Sequence, residues 1–93
     1  MREIKYTTRF KRDYRREKSG RHSKNLDVLL MEVVNLLASD SPLLRRNFDH
    51  PLRGDWSDHR DCHILPDLVL IYRKPDSGSL ELVRLGSHSE LGM

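Results

Sequence analysis

Three runs of strand-forming residues in the C-terminal half constrain the fold more than any other feature of the chain. They cover residues 60–65, 68–74 and 79–85, and the middle run, Leu-Val-Leu-Ile-Tyr-Arg-Lys, is the most apolar. A tight Leu65-Pro66 turn and the turn-forming sequence Pro75-Asp76-Ser77-Gly78 connect them. Because connections this short join strands that run in opposite directions, we predict an antiparallel meander with the middle run at its centre.

The first twenty residues predict a short strand and a helix. Residues 2–6 alternate polar and apolar side chains, as a half-buried strand does. Thr7 or Thr8 can cap the helix that follows, because a threonine hydroxyl accepts from a free backbone N–H of the first turn. We expect this helix to end near Lys18, with Gly20 stopping it.

A second predicted helix begins at Ser23 or Asn25 and ends near Ala38. At 100° per residue its apolar side chains fall within an arc of about 120°, which is a stripe suited to packing on a core. These side chains are Leu26, Leu29, Leu30, Val33, Leu36 and Leu37. The predicted order is therefore β-α-α-β-β-β, an α+β fold with a helical hairpin on one face of an antiparallel-rich sheet. With 93 residues the chain is a single domain, 1–93.

Polar residues crowd the loop 43–58 and the strand after it. Pro51 and Gly54 exclude a helix there, so the segment is a structured loop. In the next strand, the two-residue period puts Asp61 and His63 on one face. Four ionisable residues from separate segments can meet at this place: His50 from the loop, His63 from the strand, Asp67 from the following turn and His88 from the tail.

Charge and composition narrow the partners and the compartment. The net charge is +3, and residues 9–24 hold eight Lys or Arg against two acidic residues. A cluster of this kind favours a polyanion or an acidic protein partner, or it is an ordinary solvated helix face. The single cysteine, Cys62, excludes an internal disulfide, and no apolar run reaches the roughly 20 residues that span a bilayer. We expect a cytoplasmic protein without membrane contact.

The four-residue polar set suits acid–base chemistry near neutral pH. An ordinary histidine has a pKa of about 6.5, so one imidazole can take a proton while another donates one. With arginines to stabilise phosphate charge, RNA cleavage is the natural reaction, because RNA supplies its own 2′-OH nucleophile. Zinc bound by Asp61, His63, Asp67 and His50 is a weaker alternative, because close ligand pairs and thiolates are missing.

Several motifs together resemble the YafQ branch of the RelE/ParE toxin superfamily. They are Asp49-His50-Pro51-Leu52-x-Gly54-x-Trp56, Arg60-Asp61-x-His63, Pro66-Asp67, Leu70-Ile71-Tyr72 and Arg84-x-Gly86-x-His88. The resemblance implies the toxin of a type II toxin–antitoxin pair that enters the ribosomal A site and cuts mRNA without a metal or other cofactor. It implies a cyclic phosphate product and silencing by an antitoxin. Its catalytic set falls on His50, His63, Asp67 and His88.

Two positions depart from that family pattern. An aromatic residue is expected four residues after the last histidine, where this chain has Gly92, and a Trp after Asp67, where it has Leu68. Leu91 or Trp56 can take the place of the missing aromatic in stacking on a base.

Further contacts follow from the same hypothesis. Arg60 and Arg84 are candidates to clamp a phosphate, although either can equally be a salt-bridge residue, and Trp56 is a candidate RNA contact. The basic helix offers Arg9, Arg12, Arg15 and Arg16 to ribosomal RNA or to an acidic antitoxin tail. Two rival functions stay open: a ParE-like toxin that poisons a topoisomerase, and a bare nucleic-acid-binding module. Neither needs the four catalytic candidates together.

Overall fold

Two α-helices and five strands make up the fold. The computed structural model describes all 93 residues. Its elements are β1 (Glu3–Tyr6), α1 (Thr8–Lys18), α2 (Leu26–Ala38), β2 (His50–Pro51), β3 (Arg60–Leu65), β4 (Leu68–Arg73) and β5 (Ser79–Gly86). Single 3₁₀ turns cover Arg45–Asn47 and Gly54–Trp56. Neither helix is long and apolar enough to cross a lipid bilayer.

The five strands form one mixed sheet in the order β1-β5-β4-β3-β2. β3, β4 and β5 form the predicted antiparallel meander, and β4 lies at its centre. β1 pairs with β5 in parallel, because the two helices carry the chain back across the sheet before β5 begins. The predicted α+β architecture is therefore confirmed.

β2 corrects the prediction that residues 43–58 form only a loop. His50 pairs with Asp61, and Pro51 pairs with Arg60, at the edge of the sheet. A strand of two residues is too short for side-chain alternation to reveal it, and proline argues against a strand in any sequence pattern. At an edge, however, the missing N–H of Pro51 costs no ladder hydrogen bond.

The two helices cover one face of the sheet. Thr7 caps α1, since its Oγ1 accepts a hydrogen bond from the amide of Phe10 at 3.0 Å. The core beneath the helices contains Phe10, four buried residues of the α2 stripe and alternate residues of β3, β4 and β5. The α2 members are Leu26, Leu30, Val33 and Leu37, joined by Val34 and Ala38, which lie outside the predicted stripe.

Side chains of α1 and of its capping residue Thr7 complete the edge of β5 where β1 ends. The β1 ladder stops at Leu82. Beyond it, Thr7 Oγ1 donates to the carbonyl of Val83 at 2.8 Å. Asp13 accepts from the amide of Leu85 at 3.0 Å, and Arg16 donates to the Leu85 carbonyl at 2.9 Å. These bonds satisfy backbone groups that would otherwise lie unpaired on the sheet edge.

The opposite face of the sheet carries a smaller apolar cluster. Val69, Ile71, Val83 and Leu91 are buried there, and Leu52 and Trp56 pack against them. Leu91 belongs to a turn of the tail, which is closed by a hydrogen bond from its amide to the Ser87 carbonyl at 3.1 Å. The loop and the tail thus approach the same face, and the polar site forms between them.

Candidate active site

The candidate site lies on the sheet face opposite the helices. In β3, Cys62 and Ile64 belong to the core under the helices, so Asp61 and His63 project to the other side. Their partners across the ladder are Ile71 and Val69, two residues of the smaller apolar cluster. The polar side chains therefore stand on the smaller apolar cluster of Val69, Ile71, Val83 and Leu91, which forms the apolar floor of the site.

His50 and Asp61 form the first pair of the site. Nε2 of His50 lies 2.9 Å from Oδ1 of Asp61, at ion-pair distance but outside hydrogen-bond alignment, so that oxygen has no aligned donor. Nδ1 of His50 lies 2.8 Å from the carbonyl oxygen of Phe48. Because a carbonyl oxygen only accepts, Nδ1 carries a proton. Nε2 faces the Asp61 carboxyl group, so the two side chains form an ion pair when the imidazole is protonated.

Asp61 is the buried charge of the site, with a side chain that is 2% exposed. Burial raises the pKa of this carboxyl above its ordinary value, while the nearby charges of His50, His63 and His88 act in the opposite direction. All three imidazoles lie close enough to Asp61 to influence its ionisation.

Asp67 and His88 form the second pair. Nδ1 of His88 donates to Oδ1 of Asp67 at 2.8 Å, and the backbone amide of His88 donates to the same oxygen at 3.2 Å. These hydrogen bonds from His88 lower the pKa of Asp67, so the carboxylate is ionised at neutral pH. The contact fixes the His88 proton on Nδ1 and leaves Nε2 free.

His63 connects the two pairs. Its ring lies 5.2 Å from that of His88, almost perpendicular to it, and 5.4 Å from the ring of Phe48. Its backbone carbonyl accepts from Asn47 Nδ2 at 2.8 Å, which anchors the strand beside the site. Three of the four predicted residues, His50, His63 and His88, therefore lie near Asp61, and the fourth, Asp67, joins them through its hydrogen bond with His88.

Comparison with known proteins places this chain in a family. A family model described as a bacterial toxin of type II toxin–antitoxin system, YafQ, matches residues 2–93. The chain belongs to the YafQ toxin family. The resemblance seen in the sequence motifs is thereby confirmed.

Relatives and solved structures agree over nearly the whole length. The mRNA interferase toxin YafQ of Escherichia coli K12 is 34% identical over 91 residues, which cover 98% of this chain and 96% of that protein. A metal-bound toxin from Helicobacter pylori matches with 40% identity and a TM-score of 0.81, covering 98% of this chain and 99% of that one. YafQ in the E. coli DinJ–YafQ complex matches with 30% identity and a TM-score of 0.78, covering 98% of each chain. In this YafQ-family chain, no three His, Cys, Asp or Glu residues are arranged to hold a metal ion.

Arg60 and Trp56, two predicted RNA contacts, have partners of their own. Arg60 Nε donates to Asp49 at 3.1 Å, and the Tyr72 hydroxyl donates to the same carboxylate at 2.5 Å. Arg60 alternates with Asp61, so its 43% exposed side chain lies on the helix side of the sheet, away from Asp61 and His63, and its role as a phosphate clamp stays a prediction. Trp56 packs on the apolar floor and meets the ring of His59 edge-on at 5.0 Å, which makes it mainly a cover for the sheet.

Arg84 is engaged by Asp13. Its Nε and Nη2 donate to the two carboxylate oxygens at 2.6 and 3.3 Å, and its side chain is only 14% exposed. The sequence left two roles open for Arg84, phosphate clamp or salt bridge, and the salt bridge is present in the structure. The role of Arg84 as a phosphate clamp stays a prediction, and Nη1 is the nitrogen that could make this contact.

The four arginines of α1 divide into two groups. Arg9, Arg12 and Arg15 are exposed and form no ion pair within the chain, so they are available to a partner. Arg16 instead pairs with Asp13 at 3.1 Å and with Glu90 at 3.0 Å. It holds the helix to the tail, and its predicted contact with ribosome or antitoxin stays a prediction.

Two residues of the site did not enter the predicted catalytic or binding sets. Asp61 shares its strand face with His63, and that spacing was the available signal, but only the unpredicted β2 strand places it against His50. Phe48 carried no periodic or motif signal at all. Its exposed ring comes to lie beside His63 through the tertiary fold.

Proposed function

We propose that this YafQ-family protein is a ribosome-dependent endoribonuclease, which cleaves mRNA in the A site by acid–base catalysis and is silenced by a cognate antitoxin. The observation that carries the proposal is the contact of an unpaired imidazole, His63, with the oriented His88–Asp67 pair on an accessible face. Ribosomes and mRNA as partners imply the cytoplasm as the compartment.

His63 and His88 divide the two proton transfers. His63 has no hydrogen bond at its ring nitrogens, so it is free to accept the proton of a ribose 2′-OH. The 2′ oxygen then attacks the adjacent phosphorus, and the bond from phosphorus to the 5′ oxygen breaks. Protonated His88, held at Nδ1 by Asp67, donates its Nε2 proton to that leaving oxygen. The products are a 2′,3′-cyclic phosphate and a 5′-OH end.

His50 and Asp61 supply charge rather than a free base. Both ring nitrogens of His50 already face protein oxygen atoms, so neither is directed at a ribose 2′-OH in the observed geometry. When both nitrogens are protonated, His50 is a cation beside the site of phosphate attack. Preorganised positive charge of this kind stabilises the developing dianionic phosphorane.

The exposed arginines of α1 support docking to a polyanion. Arg9, Arg12 and Arg15 project from the helix face without internal partners. Contacts between such side chains and ribosomal RNA phosphates release counterions, so binding weakens steeply as salt rises. Replacing all three by Gln should weaken ribosome binding and flatten its salt dependence, with the fold unchanged.

A purified translation system tests the catalytic proposal. Cleavage of a defined mRNA should require translation and leave a 2′,3′-cyclic phosphate, and a single 2′-deoxy substitution at the cut should abolish it. His88→Ala and His63→Ala should each lower cleavage by about 10²-fold or more. Glu3→Gln, an exposed change on β1 at the far edge of the sheet, is the matched control. Equal cleavage by wild type and His88→Ala would remove His88 from the mechanism, and inhibition of translation without cut mRNA would refute the nuclease itself.

A further inference from the structure

We propose that Phe48 is the side chain that stacks on a nucleobase at the cleavage site of this protein. The inference rests on the proposed function, because it assigns a specificity-determining contact within the same reaction.

Phe48 stands at the junction of the catalytic groups. Its ring is 5.4 Å from that of His63 at an angle of 52°, and its carbonyl oxygen holds Nδ1 of His50. The residue is nevertheless 63% exposed, so most of the ring faces solvent. A base that lies on this ring would bring its own ribose and phosphate next to the imidazole of His63.

The backbone of Phe48 is strained in a way that its packing does not require. Its φ of 46° and ψ of 49° lie in the left-handed region, which favours Gly and Asn and is uncommon for a bulky aromatic residue. The exposed ring adds little to the core that would offset this conformation. Strain of this type accumulates where a side chain has a task outside the fold.

A groove of about 530 Å³ opens beside the ring. It is lined by Leu29, Arg46, Asn47, Phe48, His63, Ile64, Leu65 and Pro66. Its walls are mainly apolar, and Arg46, whose only ion pair is with exposed Glu32, lies at its rim. Such a groove offers the flat apolar contact that a base face requires, together with a cation for the base edge or its phosphate.

The other side chains that could stack on a base are buried, packed on the sheet or far from the site. Leu68 is fully buried under the helices, and Leu91 is 8% exposed in the apolar floor. Trp56 lies edge-on against His59 and packs on the sheet. Tyr6 is the other well-exposed aromatic residue, but it belongs to β1, at the far edge of the sheet from β2. Phe48 is therefore the aromatic ring available at the site.

The test compares variants of Phe48 in the purified translation system. Phe48→Leu keeps an apolar side chain but removes the aromatic face, and Phe48→Tyr keeps both. We expect Phe48→Leu and Phe48→Ala to lower kcat/KM for mRNA cleavage by about 5- to 150-fold, the range for loss of one base–aromatic stack. The distribution of cleaved codons should change, whereas Phe48→Tyr should cleave the wild-type set of codons at a near wild-type rate. Tyr6→Leu, the same type of change at the opposite sheet edge, is the control.

Folding and function can be separated in this experiment. Phe48→Gly fits the left-handed backbone, so its thermal midpoint should not fall below that of the wild type although its cleavage is lost. Wild-type cleavage by Phe48→Ala, or by Phe48→Leu, would overturn the stacking role while leaving the nuclease intact. Failure of the proposed function has a different signature, in which the wild type inhibits translation without cutting mRNA.

Discussion

The buried carboxylate of Asp13 should be the most sensitive electrostatic position of the fold. Its side chain is 3% exposed and accepts hydrogen bonds from Arg84, from the amide of Leu85 and from Arg16. Asp13→Ala leaves the guanidinium of Arg84 buried without a partner and the Leu85 amide unpaired. Breaking a buried ion pair in this way costs about 3–5 kcal/mol.

The expected loss is large compared with the total stability. A domain of this size unfolds with about 5–15 kcal/mol, and each kcal/mol moves the thermal midpoint by roughly 4–8 °C. Asp13→Asn keeps an acceptor for the Leu85 amide, so we expect a smaller cost of about 1–3 kcal/mol. Urea unfolding followed by circular dichroism measures both variants, and the Asn variant remains informative if the Ala variant fails to fold.

A double substitution distinguishes the ion pair from simple packing. Replacing both partners, as Asp13→Leu with Arg84→Met, leaves no unpaired charge and should recover most of the loss caused by Asp13→Ala. A cost below about 1 kcal/mol for Asp13→Ala, or a double variant as unstable as that single variant, would refute the reasoning.

The pH dependence gives an independent check on Asp13. Burial by itself raises the pKa of this carboxyl, but hydrogen bonds from Arg84 and Leu85 outweigh it, and the net pKa lies below the ordinary 3.8. A lowered pKa means that the stabilisation is complete well above pH 3.8 and is lost as the pH falls through the folded-state value. The stability advantage of wild type over Asp13→Asn should therefore shrink only in acid.

Three further predictions concern the site and its surroundings. Asp67→Asn should lower kcat by about tenfold or more with little change in KM, because His88 loses the acceptor that orients it, and steady-state cleavage assays measure this. Asp61→Asn should lose cleavage activity. It should nevertheless gain stability relative to wild type as the pH rises above 3.8, because burial raises the pKa of Asp61 and so penalises its ionised form in the folded state. Urea midpoints of both proteins at pH 4 and pH 8 test the sign of this difference. Cys62 is fully buried and burial raises the pKa of its thiol, so Ellman's reagent should modify it only at the rate of unfolding, and rapid labelling of the native protein would contradict the placement of β3.

Local patterns in the chain determine most of the scaffold. The α2 stripe and the β3–β5 meander each follow from a window of less than thirty residues, in which periodicity and turn chemistry act directly on the backbone. The predicted ends of these elements lie within a few residues of those in the structure: α2 ends at Ala38, and β4 covers Leu68–Arg73. The sequence also identified the motif residues, because histidine and aspartate indicate acid–base chemistry wherever the fold places them. These residues are His50, His63, Asp67 and His88.

Tertiary structure alone decided how those residues are paired. The β2 strand exists only because β3 supplies a partner, and without β2 nothing in the sequence sets Asp61 against His50. Asp13 and Arg84 are 71 positions apart, so no local sequence pattern predicts their contact. That contact nevertheless occupies two of the three guanidinium nitrogens of Arg84, the predicted phosphate clamp. Phe48 owes its place beside His63 to a left-handed residue at the end of a 3₁₀ turn. Short-range propensities act between neighbours in the chain, whereas ion pairs and stacking surfaces depend on distances that only the folded chain creates.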